Sequence, residues 1–209
     1  VLCFVHKYVF AAGDSGNVEI SANNGQDWTL LRSYTGSAVN WGRQRLSLVA
    51  YTNSQALLIR FRLTSDSTAN ADGWHLDDVA VGESPDMIPA PVLDQVTSTS
   101  IRVNWSPVAN DLCTGYAIYR STATGVGLNS TLAGIVSRDQ TNLTDAHLDL
   151  DTVYYYRVYS LSSLGLFSPD STQESSARTL NNPVPLVQGF EDGVAGWKVT
   201  GSWAVTTNN

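Results

Sequence analysis

Gly13-Asp14-Ser15-Gly16 sets a hydroxyl and a carboxylate between two glycines, the residue types that surround an acyl-transfer nucleophile. Such a serine attacks only when a histidine takes its proton and an acid orients that histidine. His6 is the only histidine before Ser15, and no carboxylate precedes Asp14. The tetrapeptide also joins two extended runs, so it reads as a hairpin turn and not as a nucleophile. His6, His75 and His147 stand alone, and no Cys-x-x-Cys pair exists, so zinc has no ligand set. No glycine-rich loop follows a strand and opens a helix, which removes nucleotide chemistry. The chain is therefore expected not to be an enzyme.

The 209 residues suit two modest domains. Twelve Lys and Arg against 19 Asp and Glu give a net charge of −7, which disfavours nucleic acid and anionic membrane surfaces as partners. Only 15% of residues are charged, and Val, Ile, Tyr and Trp recur in short runs, a pattern of strands. No apolar run reaches the roughly 18 residues of a membrane-spanning helix, so no membrane insertion is expected. The first run, "LCFVHKYVF", has Leu2, Phe4, His6, Tyr8 and Phe10 on one face and Cys3, Val5 and Val9 on the other. Apolar residues on both faces predict a central strand. Cys3 and Cys113 fall in different domains and are expected to be small buried apolar residues, not a disulfide. Pro85, Pro89 and Pro91 end any ladder and mark a stiff linker over 85–90.

From Pro91 the strand signals restart: "STSIRVNWSP", "TGYAIYRS", "LAGIVSRDQ" and "LDLDTVYYYRV". Short strands at this density predict a β-sandwich. Residues 91–180 resemble a fibronectin type III domain. Trp105 matches the core Trp of its second strand, and Leu148, Thr152 and Tyr154 match its Leu-x-Pro-x-Thr-x-Tyr run. The resemblance implies that Tyr154 packs its ring in the core and bonds its hydroxyl back to the backbone. Leu150 and Asp151 stand where the family has proline and glycine.

Residues 1–84 carry "DSGNVEIS", Gly25-x-x-Trp28 and the closing "GWHLDDVAVG". Together these resemble the later strands of MAM-like jelly-roll domains of the immune-inhibitor-A type found in secreted bacterial proteins. The opening strands of such domains carry a Phe-Glu pair, a Gly-Trp and a further Trp. That set occurs at the other end, in 189–209 beyond a second linker at 181–188, as Phe190-Glu191, Gly196-Trp197 and Trp203. The expected fold is thus all-β: a partial jelly-roll sandwich, a linker, a fibronectin type III sandwich and a C-terminal strand segment.

Two functional expectations follow. Phe190, Trp197, Trp203 and Val205 are core-grade residues that need a recipient, and insertion into the next copy would build a head-to-tail homopolymer, an extracellular structural or adhesive filament. An excerpt of a longer tandem array explains the same two halves, as does closure of the segment onto its own chain. The competing class is a carbohydrate-binding accessory region of a secreted hydrolase or protease. There Trp41 and Trp74, with Trp28, are candidates for stacking on a polysaccharide, each equally readable as core packing. The jelly-roll resemblance further implies a calcium held by Asp77, Asp78 and Glu191, with Asp66 and Asp72 nearby. The alternative for these carboxylates is a set of solvated surface groups and turn caps.

Overall fold

In the computed structural model, residues 1–66, 68–170 and 173–181 are described. They form thirteen strands and no α-helix. The first six are β1 (Leu2–Val9), β2 (Ser15–Ser21), β3 (Thr29–Tyr34), β4 (Ser37–Leu46), β5 (Leu58–Thr64) and β6 (Gly73–Val81). They pair as two antiparallel sheets, β4-β1-β6 and β3-β2-β5. The remaining seven are β7 (Val92–Asp94), β8 (Ser100–Asn104), β9 (Gly115–Ser121), β10 (Thr131–Ser137), β11 (Asn142–Ala146), β12 (Val153–Leu161) and β13 (Ser175–Arg178). These make the sheets β10-β9-β12-β13 and β11-β8-β7. The all-β expectation holds.

β1 is central, as its two apolar faces demand, with β4 on one side and β6 on the other. Leu2, Phe4 and His6 point inward and are almost wholly buried. That occupancy also corrects the hairpin reading of Gly13–Gly16. Both edges of β1 are taken, so β2 cannot pair with it, and the turn instead carries the chain across to the opposite sheet. Gly13 has φ +95°, and the Asp14 carboxylate accepts a 3.0 Å bond from the Asp66 amide, tying this arch to the β5–β6 loop. The true hairpin follows at β2–β3, where Gly25 has φ +87° and its amide donates to the Ser21 hydroxyl at 2.8 Å.

The second sandwich has its own core, in which Trp105 meets the Tyr116 ring edge-on at 5.3 Å. Tyr154 is buried, and its hydroxyl accepts the Asp149 amide at 3.0 Å, the backbone bond implied by the resemblance. Asp151 sits at φ +47°, which explains why glycine suits this place and why aspartate, tolerant of that region, can replace it. Ile88, inside the expected linker, is 1% exposed within this second core, and the Ser160 hydroxyl donates to the Asp86 carbonyl at 2.6 Å. Cys3 and Cys113 are both buried free thiols.

Gly16 of β2 faces the inter-sheet space, where a Cβ would lie 2.7 Å from the Trp74 ring and 2.8 Å from Phe10. Gly16→Ala should therefore lower unfolding stability by about 1–3 kcal/mol, the usual cost of overpacking. An unchanged urea midpoint would contradict this packing.

Candidate functional site

His6 lies on the inner face of β1, and its Nδ1 accepts the Trp74 indole N–H at 3.1 Å. Burial holds its pKa below the ordinary value, because charging the ring inside the aromatic cluster forfeits solvation. Ser15 accepts from the Asn17 side-chain carboxamide at 3.2 Å, and Asp14 accepts the Asp66 backbone N–H. Each member of the nucleophile-like set thus has a structural partner of its own.

Trp74 belongs to the core: its ring lies 5.7 Å from Phe61, 5.9 Å from Tyr34 and 6.2 Å from Phe10. Trp28 is stacked under the Arg60 guanidinium at 3.9 Å, with its indole N–H on the Gly25 carbonyl. Trp41 differs. It stands 51% exposed on the outward side of β4, with the Lys7 ammonium 5.3 Å from its ring centre. Asp77 and Asp78 are exposed on β6, and Asp77 accepts its neighbour's amide at 2.8 Å. Among the described residues no group of three or more His, Cys, Asp or Glu side chains could hold a metal ion. Glu191, Phe190, Trp197, Trp203 and Val205 lie outside the described residues.

The outward face of the β4-β1-β6 sheet can be read level by level. Lys7 pairs with His75 on β6, and His75 Nε2 lies 3.1 Å from the Asp72 carboxylate. One level along, Val5 stands between Arg43 and Asp77. The next holds Cys3 between Arg45 and Ala80, and here the second sandwich docks. Arg45 Nε donates to the Phe167 carbonyl at 3.0 Å, and the Arg43 guanidinium lies 4.9 Å from the Phe167 ring centre. The Asn129 side chain bonds both backbone groups of Arg43, accepting its N–H at 2.7 Å and donating to its carbonyl at 3.3 Å. An open cleft of about 420 Å³ remains along this joint, lined by Arg43, Asp78, Val79, Ile135, Leu164 and Phe167.

None of Arg43, Arg45, Asn129 or Phe167 was expected from sequence. Their partners are 86 to 122 residues away, and no local spacing announces such pairs. Glu19 was missed too. On the outward face of β2 it receives Arg62 through 2.6 and 3.0 Å bonds and Arg60 at 2.6 Å.

The geometry defines two β-sandwiches in series, joined through the first sheet's outward face. Residues 10–82 match the family model of Reelin subrepeat B, and residues 89–175 match that of the fibronectin type III domain. The chain thus carries, in order, a region similar to a Reelin subrepeat and a region similar to a fibronectin type III domain; neither match is to the MAM-like, immune-inhibitor-A type. Among curated relatives, Exochitinase 1 of Streptomyces olivaceoviridis is 27% identical over 139 residues, 62% of this chain and 22% of that one. Bacillopeptidase F of Bacillus subtilis (strain 168) is 29% identical over 70 residues, 34% of this chain and 5% of that one. The chain therefore spans a minor part of either relative. A fibronectin type III domain of human collagen XX is 26% identical, with a TM-score of 0.36, over 48% of this chain and all of that one.

The Glu19 carboxyl is pulled down to about 2, first by its bond to Arg62 and then by Arg60, against the opposing effect of burial. Its folded pKa lies below the unfolded value of about 4.3, so its stabilisation is complete above that pH and is lost as pH falls toward 2. Neutral, buried His6 acts in the same direction near its own range. Urea midpoints followed from pH 7 to 2 should fall more for the natural chain than for Glu19→Gln; parallel curves would show that the bridge contributes nothing.

Proposed function

We propose that this chain is a non-catalytic extracellular accessory region of a secreted hydrolase, acting by binding and placement while bonds are broken elsewhere in the parent protein. One observation carries the reading: the same chain resembles parts of a protein named as a chitinase and of one named as a peptidase. Those enzymes cleave different bonds, so what this chain has in common with each is better sought in what surrounds catalysis. The separate structural partners of Ser15, Asp14 and His6 support it, since each of the three is bonded to a residue outside the set. The fibronectin type III match, typical of serial extracellular modules, also supports it. The purified chain should release no product from chitin or casein. Product formation that Ser15→Ala removes would overturn the reading.

We also propose a second reading, strand exchange between copies, which one observation favours. Leu63 of edge strand β5 points between the sheets, opposite Gly16, yet is 51% exposed, so the margin of the first sandwich beside β5 is incompletely covered. A strand supplied by residues 189–209 of a neighbouring copy would cover it. Light scattering should then show mass rising with concentration, and the rise should disappear in Trp197→Ala and Trp203→Ala. A constant monomer mass would remove strand exchange.

A further inference from the structure

We infer that the outward face of the β4-β1-β6 sheet, beside the second sandwich, is a binding shelf for a neutral polysaccharide, with Trp41 as the surface on which a sugar ring stacks. The inference rests on the accessory-region reading and assigns it a site.

The first argument is a backbone irregularity. Along β4, Gly42 pairs with His6 and Ala38 with Tyr8, so three residues, Val39, Asn40 and Trp41, stand against Lys7 alone. Two extra residues in an otherwise regular ladder bulge the strand, and bulges re-aim side chains. Here the re-aimed group is a large aromatic whose indole stays half open to solvent, whereas Trp74 and Trp28 are enclosed by core rings or a guanidinium. Lys7 at 5.3 Å fixes the indole by cation–π attraction while leaving that half exposed.

The second argument is what flanks the indole. At one level across three strands lie Trp41, Lys7 and His75, with Asp72 on His75. With neighbouring strands about 4.8 Å apart, this row is roughly 10 Å long and carries donors and acceptors beside an apolar plate. The next row holds Arg43 and Asp77, and Asn129 of the second sandwich raises a wall at Arg43 that leads into the interdomain cleft.

The third argument is charge. Lys7 and Arg43 are matched by Asp72 and Asp77, so the shelf has no dominant sign, within a chain of net charge −7. An anionic polymer would meet two carboxylates, and a cationic one would meet the ammonium and the guanidinium. A pyranose chain suits the row: its C–H faces lie on the indole and its hydroxyls exchange hydrogen bonds with the flanking groups.

The test uses the full chain and three probes, soluble chitohexaose by calorimetry and insoluble chitin and insoluble cellulose by pull-down. The natural chain should bind at least one of them, with little dependence on salt because the ligand is uncharged. Trp41→Ala should lose at least tenfold in affinity, Trp41→Phe should keep part of it, and Trp28→Ala should bind as the natural chain does. Binding that survives Trp41→Ala unchanged would overturn the shelf and leave the accessory reading standing. Failure of the natural chain to bind any of the three would also overturn it. The accessory reading fails by a different result, product release by the chain itself.

Discussion

Every later feature depends on β1 having no free edge. Both its edges are hydrogen-bonded, to β4 and β6, and each of its faces has its own role. The inner face supplies Leu2, Phe4 and His6 to the aromatic core; the outer face is the floor on which Arg43 and Arg45 reach the second sandwich. A strand filled on both edges forces its successor onto another sheet, which is why the chain arches over at Gly13–Gly16 and why the first unit is a sandwich.

Polar groups inside this architecture follow a single rule, that burial is tolerated where a partner is fixed. His6 is neutral and accepts from Trp74; Glu19 is charged and meets two guanidinium groups. The joint between sandwiches obeys it as well. β4 is an edge strand, and an edge exposes unpaired backbone to any passing chain. At Arg43 the Asn129 carboxamide closes that edge with a donor and an acceptor, as a peptide group of a neighbouring strand would. One side chain thus protects an edge and holds two units together.

Local patterns carried much of this in advance. Alternation over residues 2–10 predicted a central strand, and the fibronectin type III resemblance carried by Leu148, Thr152 and Tyr154 implied a corner whose hydroxyl bond is present. What stayed illegible was non-local. A Gly-Asp-Ser-Gly turn has the same chemistry whether it closes a hairpin or spans two sheets, and only the pairing of distant β4 and β6 decides between them. Trp41 and Trp74 are indistinguishable as letters; a bulge in one strand and a hydrogen bond from the other's indole separate them. Arg45 and Phe167 lie 122 residues apart and meet only once both sandwiches exist.

The Asn129 carboxamide has one more consequence. Asn129-Ser130-Thr131 is an acceptor sequence for N-linked glycans in eukaryotic secretory pathways, and the nitrogen that would carry the sugar is the atom donating to Arg43. Glycosylation there in such a host would place a bulky oligosaccharide at the joint between the two sandwiches, while material from a bacterial host keeps the bare amide. Choice of expression system is therefore a structural variable for this molecule.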